Sequence, residues 1–115
     1  MTVMTEPEAD ELAALIRARG GMALPLAGWG RRSIWGWDAQ DGTFYAQLWQ
    51  DGEQDEPTWW IHPAVQNWPI RIRDPRVLAR LIVKATGCTA AEVYRALAAD
   101  GPPALRRMLL DEIAS

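Results

Sequence analysis

The sequence predicts an α+β fold: an N-terminal helix, a three-stranded antiparallel meander and three C-terminal helices, forming one domain over residues 1–115. Three observations lead there. An alternating, tryptophan-rich stretch surrounds Asp41-Gly42, a dipeptide that favours tight hairpin turns. Helix-start signals recur at Thr5, Asp74, Thr89 and Pro102-Pro103. Glycines that accept a left-handed cap close the helical stretches at Gly20-Gly21 and Gly87.

The first helix begins where Thr5 and Glu8 stand at capping-box spacing, with Pro7 in a first turn that does not need its N–H. Leu12, Leu15 and Ile16 form its apolar stripe. A two-residue turn at Asp41-Gly42 then sets a register. It places Gln40 opposite Thr43, Ala39 opposite Phe44, Trp37 opposite Ala46 and Trp35 opposite Leu48. The last six of these share one face and are all apolar. The opposite face pairs Asp38 with Tyr45, Gly36 with Gln47 and Ile34 with Trp49. Asp51-Gly52 opens an acidic connection through Glu53, Asp55 and Glu56 to a third strand, Thr58 to His62, which ends at Pro63. There is room for one further short strand before Trp29.

The remainder reads as helical. Asp74 is an N-cap followed by Pro75 at the first helical position, and Val77, Leu78, Leu81, Ile82 and Ala85 give the stripe. After Gly87, Thr89 and Glu92 form a second capping box ahead of Val93 and Leu97. Asp100-Gly101 breaks the chain before a last helix carrying Leu105, Met108, Leu109 and Ile113.

Composition narrows the function classes. At 115 residues, 49% of them hydrophobic, the chain can bury a core without staples and falls outside the disordered class. The single cysteine, Cys88, allows no internal disulfide and fits a reducing, cytoplasmic setting. No apolar run approaches the length of a membrane span, and the acidic N-terminus lacks a secretory apolar core. Eleven of the 12 basic residues are arginine, a bias expected of a GC-rich bacterial genome. Charge is uneven: residues 1–68 carry four basic and ten acidic side chains, and residues 69–115 carry eight and five.

Residues suited to catalysis are scarce. The lone His62 and the lone Cys88 fall on different elements, so a thiolate–imidazole pair is not expected. No clustered spacing of metal ligands occurs, and Gly28-Trp29-Gly30 lacks the third glycine and the helix of a dinucleotide site. The carboxylates from Asp51 to Glu56 read as a solvated turn. No enzyme activity, cofactor or metal is therefore expected.

Binding is the stronger reading, and two surfaces present themselves. Seven tryptophans in so short a chain favour an aromatic contact surface. On the second face of the meander stand Ile34, Tyr45 and Trp49, joined by Trp60 and His62 if the third strand has that parity, or by Trp59 and Ile61 if it has the other. Such a face would bind a protein partner, as in an adaptor, an inhibitor, an immunity or antitoxin-like regulatory factor, or a small subunit of an assembly.

The second surface lies in residues 78–97. Gly87 at a turn, Val93 six positions on and an apolar frame of Leu81, Ile82 and Leu97 resemble the helix-turn-helix of bacterial DNA-binding proteins. The resemblance covers about 20 residues. It implies backbone contacts from Arg71, Arg73, Arg76, Arg80 and Lys84, and base contacts from Tyr94 and Arg95. A small-molecule site is the third possibility. The expected function is a non-enzymatic protein-binding factor, with DNA binding as the alternative.

Overall fold

Alternation of apolar and polar residues from Ile34 onward builds the centre of the molecule. The computed structural model describes residues 14–16, 21–50 and 55–114. Four strands form one antiparallel sheet in sequence order: β1 (Met22–Ala23), β2 (Ile34–Asp38), β3 (Thr43–Leu48) and β4 (Trp59–Ile61). The sheet thus has one strand more than the expected meander; β1 is the short piece ahead of Trp29. Residues 14–16 are helical, with Ile16 fully buried. The rest of the expected N-terminal helix, including Thr5, Glu8 and Gly20, lies outside the described residues, as do Asp51 and Glu53 of the acidic connection.

The hairpin register differs from expectation. Trp35 pairs with Ala46, Trp37 with Phe44 and Asp38 with Thr43, a displacement of two residues. The physical cause is the loop. A two-residue type I′ turn needs positive φ at both central positions, but here only Gly42 has it, at 64°. Asp38 initiates the turn instead. Its Oδ1 accepts the N–H groups of Gln40 (2.9 Å) and Asp41 (3.2 Å), and Gly42 N–H donates to the Asp38 carbonyl at 2.8 Å. Ala39 therefore leaves the strand and is exposed. A two-residue displacement keeps side-chain parity, so the polarity of the faces is as expected.

Trp35, Phe44, Ala46, Leu48 and Ile61 form the buried face. Helix α1 (Pro75–Thr86) packs against β3 and β4 on it, contributing Leu78, Ala79 and Ile82. Ile72 extends this layer: Phe44 N–H donates to its carbonyl, and its own N–H donates to Thr43 Oγ1 at 2.8 Å.

The helix starts follow the sequence signals. Asp74 caps α1 through Arg76 N–H, and Gly87 closes it with φ 75°. Thr89 and Glu92 complete a reciprocal capping box on α2 (Ala90–Ala98). The last helix, α3 (Pro103–Ala114), packs on α2, and Val93, Leu97, Leu105 and Leu109 are fully buried. Among the described residues Trp35 Nε1 is a buried side-chain donor without a partner.

Candidate functional site

The face of the sheet away from α1 is set by strand parity. Gln47 stands opposite Trp60, and continuing that ladder brings His62 beside Tyr45. The third-strand parity left open by sequence is therefore the one that joins Trp60 and His62 to Tyr45. The Tyr45–His62 ring centroids are 6.2 Å apart, and Trp60 meets His62 edge-on at 6.4 Å. Tyr45, Gln47, Trp60, His62, Asp38 and Gln40 line a shallow concavity of about 460 Å³. Trp60 is 43% exposed there, whereas His62 is only 4% exposed.

The strand-end hydrogen bonds show what His62 does. Its Nε2 lies 2.9 Å from Asp38 Oδ2 and 3.7 Å from Asp41 Oδ2. Its Nδ1 accepts the N–H of Ala64 at 3.1 Å. An accepting Nδ1 carries no proton, so in the neutral ring the proton sits on Nε2 and is donated to Asp38. Both ring nitrogens are thus engaged, leaving no imidazole lone pair for proton abstraction. The same bookkeeping bears on Asp38, Asp41 and His62 as metal ligands. Their donor atoms fall within 4.8 Å of one another, but the imidazole offers them a proton, not a lone pair.

The hydrogen bond from His62 and the amides of Asp41 and Gln40 hold the Asp38 carboxyl below its ordinary range, against an opposing effect of burial. Burial, helped by the Asp38 charge, pushes the Tyr45 hydroxyl up, so it remains a neutral donor. Tyr45 also owes its position to a missing side chain. Its ring lies across Gly36, where a Cβ would stand 3.1 Å from the hydroxyl oxygen and 3.3 Å from Cε1.

The other expected partner-contact residues are placed differently. Ile34 and Trp49 are on the sheet but do not line the concavity. Ile34 Cδ1 lies beside Gly21. Trp49 sits just past the end of β3, where Ser33 Oγ accepts its N–H at 3.0 Å and the Arg32 guanidinium stacks 3.8 Å over its ring. Sequence reasoning put Asp38 on this face but missed its pairing with His62. The available signal was a lone histidine at matching parity with a strand-end aspartate.

No known family model, curated protein or solved structure matches this chain.

The residues expected on DNA are scattered in role. Arg80, Lys84 and Arg95 are exposed on α1 and α2, and Tyr94 is half-buried. Arg71 Nε donates to the Asp41 carbonyl at 2.7 Å, and the Arg73 guanidinium lies 6.0 Å from the Trp37 ring. Arg76, expected at the phosphate backbone, is 3% exposed and bonded inside the protein. It forms ion pairs with Asp74 at 2.7 Å and Glu112 at 3.0 Å, tying the start of α1 to α3. A guanidinium enclosed between two carboxylates cannot reach a phosphate. Among the described residues no helix is long and apolar enough to cross a membrane.

Proposed function

We propose that this chain is a non-enzymatic binding protein that engages a protein partner through the aromatic face of its sheet. The observation carrying this reading is the Trp60 side chain, 43% exposed at the rim of a concavity whose floor is held by buried polar bonds. Exposed tryptophan beside a rigid hollow is the usual anatomy of an interface anchor. The Asp38–His62 bond fixes that floor, and Tyr45 and Gln47 supply aromatic surface and an amide. A regulatory or adaptor role in the cytoplasm goes with this reading, since Cys88 is an unpaired cysteine.

Capture of partners from native-host lysate tests it, using the full chain, Trp60→Ala and Trp59→Ala with nucleic acid digested. Trp60→Ala should lose the partner and keep its melting temperature; Trp59→Ala should keep both. Capture unaffected by Trp60→Ala would overturn the reading.

A second reading, DNA binding through residues 75–97, has the exposure of Arg80, Lys84 and Arg95 in its favour. Retention on heparin with steep salt dependence would support it.

A further inference from the structure

The concavity on the sheet face has a chemistry narrower than that of a general aromatic patch. Its aromatic members are Trp37, Tyr45 and the exposed Trp60, beside the His62 imidazole. Asp38 lines it, and Asp41, outside the lining, approaches the same His62 Nε2, at 3.7 Å against 2.9 Å for Asp38. Among the described residues no lysine or arginine lines it. Two guanidinium groups lie nearby without lining it: that of Arg71 is bonded to the Asp41 backbone carbonyl, and that of Arg73 lies 6.0 Å from the Trp37 ring.

We propose that this concavity receives an arginine side chain of a protein partner, stacked on Trp60 and facing Asp38 and Asp41. The proposal rests on the reading of the sheet face as a protein-binding surface and names what that surface selects. Aromatic faces carry negative electrostatic potential, and a planar guanidinium both stacks on an indole and forks toward carboxylate and amide oxygens. Asp38 has already given Oδ1 to the amides of Gln40 and Asp41 and Oδ2 to His62. Its charge remains, and Asp41, partly exposed, has a carboxylate with fewer commitments. Gln47, opposite Trp60 and two residues along β3 from Tyr45, has an amide oxygen for the remaining N–H groups. An acidic partner segment would meet like charge there, and an apolar one would strip water from carboxylates without replacing it.

The fold itself contains the stacking half of this arrangement. Arg32 lies 3.8 Å over the ring of Trp49 at the neighbouring end of β3. No guanidinium of the described residues stands over Trp60 in that way.

The test uses the full chain and blocked Gly-Ser peptides carrying one arginine or, as a neutral isostere, one citrulline. The readout is the indole N–H resonance of Trp60, assigned through Trp60→Phe. The arginine peptide should shift that resonance saturably, and the citrulline peptide should bind at least roughly tenfold more weakly. Asp41→Asn, whose carboxylate makes only the longer contact to His62, should weaken the arginine peptide several-fold and leave the fold intact. Equal binding of both peptides, or no shift at Trp60, would overturn the proposal. If Trp60→Ala still abolishes partner capture in that case, the binding face stands and only its selectivity for arginine is wrong. If capture survives Trp60→Ala, the binding-face reading itself fails.

Discussion

Asp38 and His62, 24 positions apart, meet through a 2.9 Å hydrogen bond that joins the turn after β2 to the end of β4. The bond reaches across β3, which lies between β2 and β4 in the sheet. It has a pH consequence. The folded protein holds the Asp38 carboxyl below its ordinary value of 3.8, chiefly through the His62 bond. A depressed carboxyl contributes stability above its unfolded pKa and loses it as pH falls through the folded one. Asp38→Asn lacks that contribution. The gap in melting temperature between the native chain and Asp38→Asn should therefore be full near neutrality and shrink as pH drops from about 4 toward 2. A gap that stays constant across that range would show that Asp38 is not held ionised by its partners.

The tryptophans should separate by role. Trp35 is fully buried, so Trp35→Ala should cost about 3–5 kcal/mol of stability, as large aromatic truncations do. Trp60 is 43% exposed, and Trp60→Ala should change stability by less than about 1 kcal/mol. Trp49 falls between them, because truncating it also strips Arg32 of its ring. Thermal or urea denaturation of the three variants gives the order. Equal loss in all three would mean that Trp60 is core and that the face has no free anchor.

Arg76 makes the sharpest distinction between architecture and nucleic-acid binding. Arg76→Ala leaves the part-buried Asp74 and Glu112 without the buried cation they share. Breaking a buried pair in this way costs about 3–5 kcal/mol. Urea unfolding should register that loss. Lys84→Ala, an exposed change near the end of α1, should alter stability by less than about 0.5 kcal/mol. Similar small effects from both would contradict the enclosed ion pair.

These residues also show what the sequence could and could not reveal. Helix starts at Asp74-Pro75 and Thr89/Glu92 were legible because a cap is satisfied within three residues. The two sheet faces were legible because parity survives a shift of two. The pairing itself was not, since Asp41-Gly42 fits either a two-residue turn or the end of a longer one, and Asp38 decides between them through its own side chain. β1, at two residues, gives too little alternation to be distinguished from a loop. The Arg76–Glu112 pair joins residues 36 apart, and no local pattern reports it. The concavity was half legible: Tyr45 follows from the hairpin parity, but Trp60 and His62 belonged to one of two third-strand parities left open, and its charge depends on where the turn places Asp38 and Asp41.

Tyr45 is held against the bare backbone of Gly36. A methyl group on Gly36 would stand 3.1–3.3 Å from the Tyr45 ring, tighter than ordinary contact. The ring would have to give way to accommodate it. Gly36→Ala should therefore destabilise by about 1–3 kcal/mol, the usual penalty for overpacking. Removing the ring removes the conflict. In a Tyr45→Ala background the same Gly36→Ala change should be neutral or stabilising by up to about 1 kcal/mol, because alanine restricts the unfolded chain. The double-mutant cycle would then show a coupling whose sign comes from steric contact between these two positions. Additive effects would mean that Tyr45 does not rest on Gly36, and the floor of the concavity would have to be redrawn.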